Sequence, residues 1–237
     1  MASPISIRRT TLEVGTAFEK HALSFLNKSM SMSLRRVGGA NDGGVDLRGW
    51  WWVPRVATPA IESAASENDG GLRRLRVLAQ CKAEKKSVGP RAVRELEGVM
   101  SQLEFRFAGR EQQSTAEAAI AILISQSGFT KNAMLHATQS RIPLMLLHLP
   151  GGQPTALTLM SSSPESDTGT FPNQEWIKVD GAWWNRSLSH GILGGKMELR
   201  REVLLTSDGL GASTALWMDG KKLGRCVPSE VDELESL

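Results

Sequence analysis

Tyrosine is absent from the 237 residues, and cysteine occurs only as Cys81 and Cys226. Neither cysteine sits in a CxxC pair, which argues against a disulfide-stapled secreted scaffold and a structural zinc site and makes a reducing compartment the default. No apolar run approaches the roughly 20 residues that cross a bilayer. With a mean hydropathy of −0.21 the chain reads as soluble and without a membrane span. A GxxxxGK[ST] loop is missing, so no P-loop cradles a nucleotide phosphate. The histidines, His21, His136, His148 and His190, are scattered without the spacing of a metal or nuclease motif. Ser125-Gln126-Ser127-Gly128 lacks the first glycine of a nucleophile elbow and reads as a turn at a strand end.

What remains is a composition, 41% hydrophobic and 22% charged, sufficient for a core of one or two domains. The formal charge is only +3, but its distribution is uneven. Between residues 71 and 110, Arg73, Arg74, Arg76, Lys82, Lys85, Lys86, Arg91, Arg94, Arg106 and Arg110 face only Glu84, Glu95, Glu97 and Glu104. The end of the chain is acidic, with Glu230, Asp232, Glu233 and Glu235. A polyanionic partner would therefore meet the middle of the sequence. The first dozen residues, with Arg8 and Arg9 and no acid, have a composition allowed at the end of an organelle transit peptide but are too short for a whole one, and an ordinary N-terminus is the favoured reading of these residues alone.

Phe18, Ala22, Phe25 and Leu26 recur at helical spacing and predict an amphipathic helix over 12–28, with Glu19 beside its buried stripe. Strands at 34–37 and 45–53 flank the glycine-rich stretch Gly38 to Gly44, a hairpin signal. Residues 54–71 are rich in Pro, Ala, Ser, Glu, Asp and Gly without periodicity, an exposed and flexible insertion. A strand over 76–83 follows. Pro90 then suits the first turn of a helix with the stripe Val93, Leu96, Met100 and Leu103. Ala118–Ile124 and Leu144–Leu149 read as strands buried on both faces, with a helix over 131–140 between them. This order predicts an α/β fold, a mixed sheet with helices on both faces. Beyond residue 150 the composition shifts. A polar linker at 161–172 precedes short strands at 176–179, 182–185, 196–205 and 214–218, a small β-rich extension.

Asp46 follows the glycine turn, and Gln80 and Lys82 lie two apart on the next strand, so period 2 sends both to one face and Cys81 to the other. Adjacent antiparallel strands would gather a carboxylate, an amide oxygen and an ammonium. Mg²⁺ takes oxygen ligands with only one or two carboxylates, which Asp46, Gln80 and Glu19 can supply. Lys82 would then orient or deprotonate the attacking water, or offset transition-state charge. Lys85, Lys86, Arg91 and Arg94 follow this strand and open the next helix, where phosphate is also favoured. With Lys131 they form the candidate contacts to a phosphate backbone. The tryptophans Trp50-Trp51-Trp52 and Trp183-Trp184 suit hairpin packing more than base stacking.

Five stretches in order, Gly15-Thr16-Ala17-Phe18-Glu19, Gly39 to Leu47, Gln80-Cys81-Lys82, Val88 to Gly98 and Ser127 to Ala133, resemble the successive motifs of Mrr-type restriction endonucleases. The resemblance covers residues 12 to 149. It implies the restriction-endonuclease-like PD-(D/E)xK fold, a four-stranded mixed sheet flanked by helices, in a nuclease domain at 1–150 followed by the extension at 151–237. It also implies Mg²⁺-dependent DNA cleavage, with Mn²⁺ able to substitute. Asp46, Gln80 and Lys82 take the catalytic positions, the Cys81 main-chain carbonyl joins the metal, and Glu19 is an outer ligand, through water if not directly. The insertion and the tryptophan-rich extension resemble the fungal branch of this group, mitochondrial proteins required for respiratory growth, which implies a mitochondrial location and a role in mitochondrial DNA maintenance. A homodimer is compatible with this reading. Gln80 stands where the wider superfamily carries a carboxylate, which weakens the pull on Mg²⁺. The alternative is a catalytically silent nucleic-acid-binding module that retains the fold.

Overall fold

The computed structural model describes residues 10–37, 43–55, 71–108, 118–150, 179–206 and 209–228. The turn at 38–42, nearly all of the insertion read at 54–71, the linker at 161–172, most of the strand read at 176–179 and the acidic end lie outside them.

The first element, α1 (Thr11–Ser29), begins at a reciprocal cap. The Glu13 N–H donates to Thr10 Oγ1 at 3.2 Å and the Thr10 N–H donates to the Glu13 carboxylate at 2.7 Å, satisfying two donors that a helix start leaves open. Its buried residues are Phe18, Ala22, Phe25 and Leu26, the stripe that the spacing predicts.

Three antiparallel strands follow, β1 (Met32–Arg36), β2 (Leu47–Pro54) and β3 (Leu72–Lys82). Gly49 sits where β1 crosses β2 so closely that a Cβ there would overlap the Ser33 carbonyl oxygen. From β3 the chain crosses through α2 (Pro90–Ala108) to the parallel strand β4 (Ala119–Ser125), then through α3 (Lys131–Gln139) to β5 (Leu144–His148), also parallel. Antiparallel to β5 lies β6 (Gly181–Trp184), and the sheet order is β1-β2-β3-β4-β5-β6.

The α/β mixed sheet is thus present, with six strands where the resemblance implied four. Two physical causes account for the difference. β1 pairs with β2 along its whole length, from Met32 opposite Trp51 to Arg36 opposite Leu47. At the other edge β6, expected in the C-terminal extension, covers the open side of β5. Asn185, 5% exposed, fastens it there. Its Nδ2 donates to the carbonyls of Ala137, Ser140 and Ile142 at 3.2, 3.0 and 2.8 Å, and its Oδ1 accepts from Leu144 N–H at 3.2 Å and Leu188 N–H at 3.0 Å.

A π-helical turn (Ser187–Ile192), which no sequence signal anticipated, leads into a second sheet of β7 (Met197–Thr206), β8 (Gly209–Met218) and β9 (Lys221–Lys222). Period 2 along the strands sorts the interior into two layers. Odd-numbered residues of β2 and β3, among them Leu47, Trp51, Leu75, Val77 and Ala79, pack with α1 and with Leu188, Met197 and Leu216 of the C-terminal region. Leu78 of β3, with Leu123 and Leu146, packs instead with Val93, Leu96 and Met100 of α2 and Ala133 and Ala137 of α3. The C-terminal residues therefore complete the α1-side core.

Candidate active site

Asp46 lies in the last extended residues before β2, bound on both sides. Its carbonyl accepts from Val37 N–H at 2.9 Å, and its N–H donates to the Ala79 carbonyl at 2.9 Å. Leu47 is opposite Ala79, so Asp46 comes level with Gln80. The Asp46 Oδ2 then accepts the Cys81 N–H at 2.6 Å, a charge-assisted bond that ties the carboxylate to the end of β3.

Gln80 is 8% exposed, and among the described residues its Oε1 has no hydrogen-bond partner. A buried orphan acceptor costs about 1–3 kcal/mol, so an unmade bond here calls for an explanation. The Gln80 amide nitrogen lies against Gly44, where the backbone is left-handed at φ +80 and a Cβ would stand 3.1 Å from it. Gly44 thus does more than turn the chain, since a side chain would push Gln80 out of place. Lys82, two residues on, shares the Gln80 side of the strand, and among the described residues its ammonium has neither a hydrogen bond nor an ion pair. Cys81 packs toward the α1-side core, as period 2 requires.

Glu19 reaches the same end of the sheet from α1, but Arg36 of β1 holds it. Arg36 Nη2 and Nε both contact Glu19 Oε2, at 2.7 and 2.8 Å. The two carboxylates, Asp46 and Glu19, are matched by two cations, Arg36 and Lys82. Sequence spacing gave no signal for Arg36, because the partners lie on different elements.

Both carboxylates act on the Cys81 thiol. Burial first, then Asp46 and then Glu19, raises its pKa well above the ordinary thiol value, with Arg36 opposing. A raised pKa keeps the sulfur protonated and unreactive. At pH 8 a disulfide reagent is expected to label Cys226, located by mass spectrometry, and to spare Cys81 in the folded chain. Equal labelling would contradict the burial of Cys81 first, and then the influence of the two carboxylates.

The donor set suits a hard cation. Among the described residues no group of three or more His, Cys, Asp or Glu side chains could hold a metal. A cation would instead take the Asp46 carboxylate, the orphaned Gln80 Oε1 and the Cys81 carbonyl, an all-oxygen set within the Mg²⁺ preference for few carboxylates.

The residues read as DNA contacts surround the same end of the sheet. Val88 and Phe129 form a bridge, with Val88 N–H to the Gly128 carbonyl at 2.9 Å and Thr130 N–H to the Val88 carbonyl at 3.0 Å. The bridge sets the start of α2 beside the start of α3. Lys85, Lys86, Arg91, Arg94 and Lys131 are all exposed there, at the carboxyl ends of β3 and β4, where open α/β sheets bind ligands. Arg91 is paired with Glu95 one turn on, at 2.8 Å.

Comparison with known proteins gives a family match and no structural one. The family described as Required for respiratory growth protein 7 matches residues 10–174, more than half of the chain. The mitochondrial Required for respiratory growth protein 7 of Zygosaccharomyces rouxii is 29% identical over 60% of this chain and 66% of its own length. That of Saccharomyces cerevisiae is 28% identical, over 61% and 67%. An uncharacterized mitochondrial protein of Schizosaccharomyces pombe is 31% identical over 59% of this chain and 45% of its own length. The matched region thus spans from under half to about two thirds of these relatives. They are mitochondrial proteins, in keeping with the location that the resemblance implied. No solved structure matches. Among the described residues no helix is long and apolar enough to cross a membrane.

Proposed function

The chain belongs to the Required for respiratory growth protein 7 family, and from that premise we propose that it is a Mg²⁺-dependent DNA endonuclease of mitochondria with an Mrr-type PD-(D/E)xK core, acting in mitochondrial DNA maintenance. One observation carries the reading. The buried Gln80 Oε1 has no partner among the described residues, and it stands level with Asp46 on the strand face that Lys82 shares.

In this reading Asp46, Gln80 and the Cys81 carbonyl hold the ion, with Glu19 an outer contributor. Bound there, Mg²⁺ would supply charge to the phosphate oxygens and lower the pKa of a bound water. Lys82 would orient or deprotonate the attacking water, or offset the charge that develops on the phosphate. Lys85, Lys86, Arg91, Arg94 and Lys131 hold the backbone without reading sequence. Mn²⁺ replaces Mg²⁺.

The Arg36–Glu19 pair favours a second reading, a nucleic-acid-binding module that keeps the fold without cutting, because it takes up one of only two carboxylates. Calorimetric titration with Mn²⁺ separates the two. The nuclease reading expects one site in the parent chain and its loss in Asp46→Ala. Equal binding by the variant would place any metal elsewhere.

A further inference from the structure

β1, β2 and β3 contain Arg35, Arg36, Arg48, Arg73, Arg74, Arg76 and Lys82 and no acidic residue. Period 2 divides them between the two faces. Arg36 and Arg73 fall on the α1 side, whereas Arg35, Arg48, Arg74 and Arg76 share the face of Gln80 and Lys82. Toward β5 that face is covered by α2 and α3. At the β1 edge Arg35, Arg48 and Arg74 are exposed.

The register assembles these side chains. Arg35 is directly opposite Arg48, and Trp50 is directly opposite Arg76. The guanidiniums of Arg74 and Arg76 lie over the Trp50 ring, 4.5 and 4.6 Å from its centre. Cation–π contact fixes both planes and offsets part of their repulsion. Among the described residues no ring contact is seen for Arg35 and Arg48, and like charges opposite one another weaken a sheet. An anion laid across them would turn that cost into binding.

We propose that this face is a second nucleic-acid contact, gripping the phosphate backbone of duplex DNA on one side of the cleavage point. The proposal rests on the nuclease reading only for where the cut falls. Arg76 and Arg74 are four and six residues from Gln80 on one strand, or ~13 and ~20 Å at 3.3 Å per residue. With ~3.4 Å per base pair, the phosphates they meet lie about four to six base pairs from the cut. Arginine suits the task, because its planar fork pairs with phosphate while its face stays on an aromatic ring.

The test is fluorescence anisotropy with a labelled 30-base-pair duplex, in EDTA so that nothing is cut, over a series of salt concentrations. Arg48→Gln/Arg74→Gln should bind about tenfold more weakly near 0.1 M salt, and its slope of log affinity against log salt should fall by about 2, one per lost phosphate contact. Arg35→Gln, which removes an exposed residue without a ring contact, should lower the slope by about 1 and covers the case in which the double variant fails to fold. An unchanged slope in a folded variant overturns the proposal and leaves Arg74 as packing on Trp50 and Arg35 and Arg48 as a solvated face. Cleavage by a parent chain whose variants keep the full slope would sink this proposal alone. A parent that binds through these arginines yet never cuts in Mg²⁺ would sink the nuclease reading alone.

Discussion

Lys82→Ala should lower Mg²⁺-dependent DNA cleavage by roughly 10²–10⁴-fold, the range for losing a positioned proton-transfer or charge-stabilising group, while duplex affinity stays within about a factor of two. The split follows from what Lys82 touches. Its ammonium has no protein partner among the described residues, so its removal strands no buried charge and the fold should survive. It shares the strand side of the orphaned Gln80 oxygen, where charge would develop as a phosphodiester opens. An interaction made mainly in the transition state lowers the turnover number and not the affinity. In the proposed reading affinity is shared by Lys85, Lys86, Arg91, Arg94 and Lys131, all exposed at the carboxyl ends of β3 and β4. Rates from single-turnover gels and affinities from anisotropy check both halves. Equal losses in the two would make Lys82 one more backbone anchor.

Asn185→Ala should cost about 3–5 kcal/mol of unfolding free energy, a large part of the roughly 5–15 kcal/mol that such a chain commands. Asn185 makes five side-chain hydrogen bonds at a position 5% exposed. Truncation leaves the N–H groups of Leu144 and Leu188 and the carbonyls of Ala137, Ser140 and Ile142 without that partner in a place that water enters poorly. Each buried group left unpaired costs about 1–3 kcal/mol, reduced where the loop relaxes. Asn185→Asp is the informative control, since it keeps an acceptor for the two N–H groups and sets a carboxylate against three carbonyls. It should be at least as harmful as alanine. Urea titration followed by circular dichroism gives both values. A loss below about 1 kcal/mol in either variant would mean that β6 is held on β5 by its ladder alone.

Periodicity made the helices and inner strands legible. The stripe of α1, the opening of α2 at Pro90 and the two-face burial of β4 and β5 all follow from apolar spacing. β3 begins at Leu72, four residues before its expected start, because Leu72-Arg73-Arg74-Leu75 is too polar to read as a strand until Trp52 and Trp51 are known to lie opposite Arg74 and Leu75. The place of β6 was hidden for another reason. Four residues after a long polar stretch carry no mark of their partner, and their place beside β5 shows only in the ladder, from Met145 opposite Trp184 to His148 opposite Gly181, and in the Asn185 network that reaches from Ala137 to Leu188.

The candidate site divides in the same way. Asp46, Gln80 and Lys82 could be placed together by period 2 and one antiparallel pairing, both properties of local sequence. The hold of Arg36 on Glu19 could not, because the direction of α1 across the sheet decides it. Gly44 was legible as a turn, but its close approach to Gln80 depends on the β2–β3 register. The Arg35, Arg48, Arg74 and Arg76 face likewise becomes visible only when three strands are laid side by side in their two registers.

The most direct test of hydrolysis at Asp46, Gln80 and Lys82 is incubation of supercoiled plasmid with the purified chain and Mg²⁺, beside Asp46→Ala and an EDTA control. Nicked and linear plasmid is expected from the parent chain alone, with Asp46→Ala and EDTA both leaving the plasmid supercoiled if hydrolysis occurs at this site. Cleavage by Asp46→Ala at the parent rate would contradict hydrolysis there, as would a parent chain that binds the plasmid yet leaves it intact in both Mg²⁺ and Mn²⁺.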